Sequence, residues 1–300
     1  MNNRLKYIAK RFAPRPLIQK FQALRAWLRC RKARSDFERA GKEPVWLDGD
    51  KLESYECQYA LRNPQRYDAS STAALGAERA EYLVNVVARP EHAAFLELGC
   101  GDGMVGYALR RLSKAAAGID LGNAFDTRAV EAGVDLHQMD AQHLQFADAS
   151  YEVVYSYNAF EHFLKPEVVL AEAVRVVRPG GRIYLHFGPL YMSPMGAHLY
   201  RQISVPYAHL LWTRDILQQF VRTKGATPLR APAVNGYTAE DYRRIWKSCR
   251  SKLKLMRYSE WRDTAYVNLI ERYPSCFRSK TECFDNLVVS SISALFQKME

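Results

Sequence analysis

The chain lacks any run of about 18 apolar residues, so nothing in it reads as a membrane-spanning helix. Its basic start is not followed by the apolar stretch of a secretory signal, which argues against export by that route. The start is Arg-rich and acid-poor, as a mitochondrial transit peptide is, but it is also poor in serine. The six cysteines, Cys30, Cys57, Cys100, Cys249, Cys276 and Cys283, form no C-x-x-C pair and have no His-rich neighbour. Neither a zinc site nor a disulfide framework is expected, although Cys276 and Cys283 are close enough in sequence to pair, and reduced thiols fit a cytoplasmic setting. Internal repeats and low-complexity tracts are absent as well. The body also lacks net charge: of the overall +11, residues 1–43 carry +10, from 13 Lys and Arg against Asp36, Glu38 and Glu43. A basic arm on a near-neutral body counts against a domain-wide phosphate-binding surface, and so against a nucleic-acid partner.

What is present falls into four zones: the basic arm 1–43, a helical lead-in 44–93, an alternating strand and helix region 94–187, and an aromatic-rich segment 188–300 containing a closing strand pair. In the arm, Leu17, Phe21, Leu24 and Leu28 recur at helical spacing beside Trp27, with Lys20, Arg25, Arg29 and Lys32 on other faces. Such a helix has two equal readings: it lies on an anionic membrane surface, or its apolar stripe packs on the body. The expected location is cytoplasmic, either free or peripheral to the inner membrane.

From residue 70 onward the pattern predicts a helix over 70–87, a strand over 94–98, a helix over 104–112 and a strand over 116–119. A short helix near 125–132 and strands near 134–138 and 153–157 follow, then a helix over 164–177 and a strand over 182–187 after Pro179, Gly180 and Gly181. This β-α-β alternation predicts an α/β fold, a Rossmann-like parallel sheet with helices on both faces.

The most informative stretch is Phe95 to Gly106. A buried strand ends with an acid, Glu97, and the next turn has glycines at alternate positions, Gly99, Gly101 and Gly103. Glycine there permits positive φ and close approach of a ligand to the backbone. The stretch also contains a G-x-G-x-x-G at Gly101, Gly103 and Gly106, the pattern of dinucleotide binding, but it is out of phase, because Gly99 closes the strand. An acid at Glu97 repels a pyrophosphate and suits a cation. S-adenosylmethionine, with a sulfonium and an ammonium and no phosphate, fits that charge. Asp120, at the end of the second strand, can accept from both ribose hydroxyls, and Asp140 with Ala141, after the third, can meet an adenine edge. Each acid also has a plainer reading: Asp120 as a helix cap with Asn123 as rival, Asp140 in a solvated turn.

Taken together, residues 94–187 resemble a class I S-adenosylmethionine-dependent methyltransferase of the small-molecule type. Glu97, Gly99, Gly101 and Gly103 carry the likeness, with Asp120, Asp140-Ala141, Asn158-Ala159-Phe160-Glu161-His162 and Arg178-Pro179-Gly180-Gly181. The resemblance implies a seven-stranded sheet closed by a β-hairpin, with 287–296 as the last strand, and cofactor contacts from Glu97, Gly99, Gly101, Gly103, Asp120, Asp140, Ala141 and Asn158. One departure is Glu152, a turn position before the fourth strand where the family has Asp.

Methyl transfer from a sulfonium is an in-line displacement dominated by alignment, and a hydroxyl acceptor needs a general base. His162 is the first candidate, although the Glu161-His162 pair also reads as a cap or orienting device for the next helix. His186 reads as a core histidine, and His198 and His209 fall in a loop zone. Tyr191, Tyr200 and Tyr207 of the segment 188–212 could stack on a sugar or on a flat aromatic ring, or belong to a plain apolar lid. That segment resembles methyltransferases of bacterial surface-polysaccharide assembly, which implies O-methylation of a glycan or glycolipid at the inner membrane face. The alternatives are a quinone, lipid or polyketide methyltransferase, a nucleic-acid-associated protein using the basic arm, and a cofactor-binding module without catalysis. The absence of N-P-P-[YF] after the fourth strand argues against exocyclic amine acceptors, and no metal-ligand cluster is legible, so no metal is expected.

Overall fold

The computed structural model describes residues 24 and 28 and residues 30–59, 69–229 and 234–300. Seven strands form one sheet in the order β3-β2-β1-β4-β5-β7-β6. They are β1 (Ala94–Leu98), β2 (Ala115–Asp120), β3 (Asp135–Gln138), β4 (Tyr151–Tyr157), β5 (Val177–Phe187), β6 (Leu253–Arg262) and β7 (Val289–Lys298). All pairings from β3 to β5 are parallel, and β7 runs antiparallel to both β5 and β6. The expected Rossmann-like architecture is therefore present, with helices on both faces.

The two faces follow from strand alternation. On one, Leu96, Leu98, Val154, Ile183 and Leu185 pack under the helices Pro166–Val176 and Ala239–Ser248, the latter contributing Tyr242 and Trp246. On the other, Phe95, Val153, Tyr155 and Tyr184 pack with Ala80 and Leu83 of the helix Ala69–Val84. Glu97 alternates onto this second face. The helix Ala239–Ser248 begins at a full capping box, Thr238 with Asp241, which fixes its start on the sheet.

A separate core lies beyond β5. Residues 190–229 and 263–288 fold with the helix over 30–39 and the helix Gly49–Glu56 around Phe37, Tyr55, Tyr207, Trp212 and Phe277. The Tyr207 hydroxyl donates to the Leu287 carbonyl (2.8 Å) and the Trp212 indole N–H to the Asp48 carbonyl (3.0 Å), so both polar tips are satisfied in the interior. β6 and β7 pair as a closing antiparallel pair, but the connection between them is not a tight hairpin: residues 263–288 contribute to the separate core.

Several expectations need correction. Glu152 is on β4 and not in a turn before it; its Oε2 accepts from the Ala94 N–H and its Oε1 meets Arg178 at 3.2 Å. β5 begins at Val177 and runs through Pro179-Gly180-Gly181, because Val177 pairs with Tyr151 ahead of an irregularity in register. All six cysteines are free thiols, Cys276 and Cys283 included. In the arm, Cys30, Ala33 and Phe37 are buried against the separate core, while Leu24 and Leu28 are exposed. Lys32 pairs with Glu271 (3.0 Å), Arg34 with Asp285 (2.8 Å) and Lys42 with Glu282. Residues 30–39 thus pack on the body, but the described members of the expected stripe, Leu24 and Leu28, do not, and Leu17, Phe21 and Trp27 lie outside the described residues.

Candidate functional site

A cavity of about 680 Å³ opens at the carboxyl ends of β1, β2, β3 and β4, a size that suits a ligand of nucleoside dimensions. Strand order makes this site. β1 is central, with β2 and β3 on one side and β4 on the other, so the turns after all four strands converge. Seven of the eight expected cofactor contacts line it: Glu97, Gly99, Gly101, Asp120, Asp140, Ala141 and Asn158. Gly103 does not. It caps the helix Met104–Leu109 at φ 79°, and a side chain there would press on Leu136.

The glycines divide by task. Gly99 has φ 74°, its N–H donates to the Ile119 carbonyl (2.9 Å), and an added Cβ would collide with the Ala159 Cβ. Gly101 has φ 54° and nothing within 4 Å of an added Cβ, so its open side faces the cavity. Gly106, the third member of the out-of-phase dinucleotide pattern, is a packing residue: a Cβ there would stand 2.7 Å from Val134.

Asp120 does not cap a helix. Its Oδ2 accepts from the Gly101 N–H (3.0 Å) and its Oδ1 from the Gly122 N–H (2.9 Å), and the next helix is capped by Asp126. Asp140 holds a turn, accepting from the Gln142 N–H (2.9 Å), and also lines the cavity. Glu97 is 3% exposed and accepts from the Tyr155 hydroxyl (3.2 Å). Burial pushes its pKa up to about 8, against the pull of Arg79 and Tyr155.

On the β4 side, Asn158 sits at φ 50° with its N–H bonded to the His186 carbonyl (2.8 Å). His162 lines the cavity beside it. Glu161, 2% exposed, lies beneath with one carboxylate oxygen accepting from the Gly188 N–H (3.1 Å) and 3.9 Å from the His162 Nε2. Burial raises the Glu161 pKa to about 7. The Glu161-His162 pair does not cap the following helix, which starts at Pro166 after Lys165; Glu161 instead anchors the exit of β5. His209 is half-buried outside the cavity lining, its ring on the Tyr191 carbonyl (2.6 Å), and Tyr207 is wholly buried, which removes it as a stacking platform. His186 is half-buried on the face of the sheet that carries Tyr157 of β4 and Tyr184 of β5, and burial lowers its pKa.

Arg79 escaped sequence reasoning. It lines the cavity from the helix Ala69–Val84, its guanidinium 4.7 Å from the centre of the Tyr157 ring, and Tyr157 donates to its carbonyl (3.3 Å). One basic residue on an amphipathic helix looks like any solvated charge, so no local signal marks it. With Glu97, Asp102, Asp120 and Asp140 around the same cavity, the donor set is four carboxyls and one guanidinium. This suits a ligand with two cationic centres, one carboxylate and hydroxyls, and disfavours a pyrophosphate; S-adenosylmethionine has that composition.

The strand order, the glycine turn and these acids are the features of a class I S-adenosylmethionine-dependent methyltransferase domain. Residues 96–185 match the family model described as a methyltransferase domain. Among its relatives, a ubiquinone biosynthesis O-methyltransferase from Nitrosococcus oceani is 32% identical over 120 residues, 38% of this chain and 50% of that one. A 27-O-demethylrifamycin SV methyltransferase from Amycolatopsis mediterranei is 30% identical over 156 residues, 48% of this chain and 57% of the other. The chain thus spans about half the length of the curated relatives it matches. A solved S-adenosylmethionine-dependent methyltransferase from Methanosarcina mazei aligns over 73% of this chain and 97% of its own, with 16% identity and a TM-score of 0.45.

Proposed function

We propose that this chain methylates a hydroxyl oxygen of a small cyclic acceptor of the quinone-precursor or polyketide kind, using S-adenosylmethionine. The observation that carries the reading is His162: it lines the cavity that holds the cofactor acids, on the β4 side of β1, where an acceptor hydroxyl has a base within reach. The names of the two relatives, both O-methyltransferases or antibiotic methyltransferases, support the same acceptor class. The glycan reading has lost Tyr207 as a stacking face and gains nothing from those relatives.

The bound cofactor would supply an electrophilic methyl group on a sulfonium leaving group. The chain's own residues do the rest. Glu97 would hold the ammonium, Arg79 the carboxylate, Asp120 the ribose hydroxyls, and Asp140 with the Ala141 N–H the adenine edge. Asn158 frames the passage between cofactor and acceptor. His162 takes the acceptor proton and, with its side chain 35% exposed, can pass it to solvent.

Incubation with methyl-labelled cofactor and a panel of phenols, quinone precursors, polyketides and nucleotide sugars tests this. Label on a phenolic or polyketide oxygen is expected, and label on sugars alone overturns the acceptor class. Exposed Leu24 and Leu28 within a basic arm support a second element of the proposal, contact with an anionic membrane surface. Co-sedimentation of the full chain with anionic but not neutral vesicles is the expected outcome.

A further inference from the structure

The segment after β5 brings a second histidine to the site. The His198 ring lies edge-on to His162, 5.2 Å between centroids and 70° between planes. His198 sits at φ 55°, a left-handed conformation that few side chains other than Asn, Asp and His adopt readily. Its ring donates to the Pro189 carbonyl, and since its Nε2 is buried with no partner, the donor is Nδ1–H. A carbonyl can only accept, so the tautomer is fixed and Nε2 carries a lone pair. The groups around it are His162, His209 and the Tyr200 ring, with Glu161 reaching His162 from below. Burial keeps His198 neutral, holding its pKa down to about 4.

A buried acceptor without a donor is costly unless a partner arrives. We propose that His198 is a positioning residue for His162: its Nε2 lone pair accepts a ring N–H of His162, which turns the other, unprotonated nitrogen of His162 toward the acceptor hydroxyl. This rests on the proposal that His162 is the base. The step balances. The acceptor O–H proton moves to the unprotonated nitrogen of His162, the oxygen forms its bond to the methyl carbon as the carbon–sulfur bond breaks, and the imidazolium keeps its other N–H on His198 until it releases a proton to solvent.

Nitrogen-15 spectra of the imidazoles, on the full chain with its seven histidines, read the tautomers directly. One dominant His162 tautomer, and Nδ1–H on His198, are expected in the wild type near neutral pH with S-adenosylmethionine present. In His198→Phe the His162 ratio should relax by about five- to tenfold, the worth of one hydrogen bond. In His198→Gln, whose side-chain oxygen replaces the Nε2 lone pair, it should be restored; both variants bear the same backbone cost at φ 55°, so that cost cancels between them. An unchanged ratio in His198→Phe, or equal loss in both variants, overturns the proposal. So does a wild type in which His162 is a mixture or His198 carries its proton on Nε2, a result that needs no variant to fold. Calorimetric titration with S-adenosylmethionine is the separate arm: failure there sinks the proposed function, whereas a failed tautomer test with normal binding sinks only the role of His198.

Discussion

Glu97 is held as an acid by burial, with a pKa of about 8, yet the role proposed for it requires the carboxylate. Binding of S-adenosylmethionine should therefore expel its proton. The fraction ionised is about one in ten at pH 7 and about one in a hundred at pH 6, and a ligand selecting that fraction loses affinity in proportion. The ligand's own ammonium, with an α-amino pKa of roughly 8, is half deprotonated at about pH 8, so the profile is a bell with one limb from each partner. Affinity should fall about 25-fold from pH 8 to pH 6, a cost of roughly 2 kcal/mol. Titration calorimetry in two buffers of different ionisation heat counts the proton released. Glu97→Gln should abolish the acid limb and weaken binding near pH 8 by about 10- to 100-fold, the worth of a charge-assisted hydrogen bond. A flat wild-type profile between pH 6 and 8, with no proton released, would refute the assignment of the ammonium to Glu97.

His162→Gln should lower kcat by about 10²- to 10⁴-fold, the typical worth of a general base, while leaving the Kd for S-adenosylmethionine within about twofold. Gly99→Ala meets Ala159 at positive φ and should destabilise the fold by about 2 kcal/mol or more in urea titration. Gly101→Ala has open space and should cost only about 1 kcal/mol in stability, yet it should weaken cofactor binding at least tenfold, because its Cβ occupies the cavity side. Glu161, raised to about 7 from 4.5, keeps in the folded state a proton that the unfolded chain has released, so its contribution falls as pH rises from about 4.5 to about 7. Urea midpoints at pH 5 and pH 8 should show that Glu161→Gln removes about 3 kcal/mol of this pH-dependent loss relative to wild type.

The half of the site built from consecutive residues was legible. Glu97 to Gly103 is a strand, a turn and a helix start within nine residues, and its conformational demands are written locally in the glycines. Asp120 and Asp140 followed because each ends a parallel strand, and strand order gathers such ends. Arg79 was not legible, since it reaches the cavity only through packing of a distant helix, and for the same reason the sequence could name His198 but not place it against His162. β6 was hidden for a different reason. It is an edge strand, buried mainly at Leu253, so Lys254 to Arg262 shows no apolar alternation. Tyr207 was misjudged because an aromatic-rich loop and an aromatic-rich core look alike in one dimension, and only the bond to the Leu287 carbonyl distinguishes them.

The arm joins the energetics to the membrane reading. Because each keeps a proton that the unfolded chain would release, burying Glu97 and Glu161 costs the fold roughly 3 kcal/mol each at pH 7, at about 1.4 kcal/mol per pH unit, a large share of the stability of an ordinary domain. Apolar burial elsewhere has to offset that load, and the separate core around Tyr207, Trp212 and Phe277 is one place where it does. The helix over 30–39 belongs to that core: Phe37 and Ala33 are wholly buried, and Phe37 alone contributes about 2 to 3 kcal/mol. Deleting residues 1–43 would therefore strip the fold as well as the basic surface, and weak vesicle binding by such a chain would say nothing about lipid. Removing residues 1–23 would leave Cys30, Ala33 and Phe37 in place but discard six of the arm's 13 Lys and Arg at once, so charge is better changed by substitution: Arg31→Gln with Leu24→Ser and Leu28→Ser alters exposed positions only. If that variant keeps its urea midpoint and still sediments with anionic vesicles as the wild type does, Leu24, Leu28 and Arg31 are not what meets the membrane.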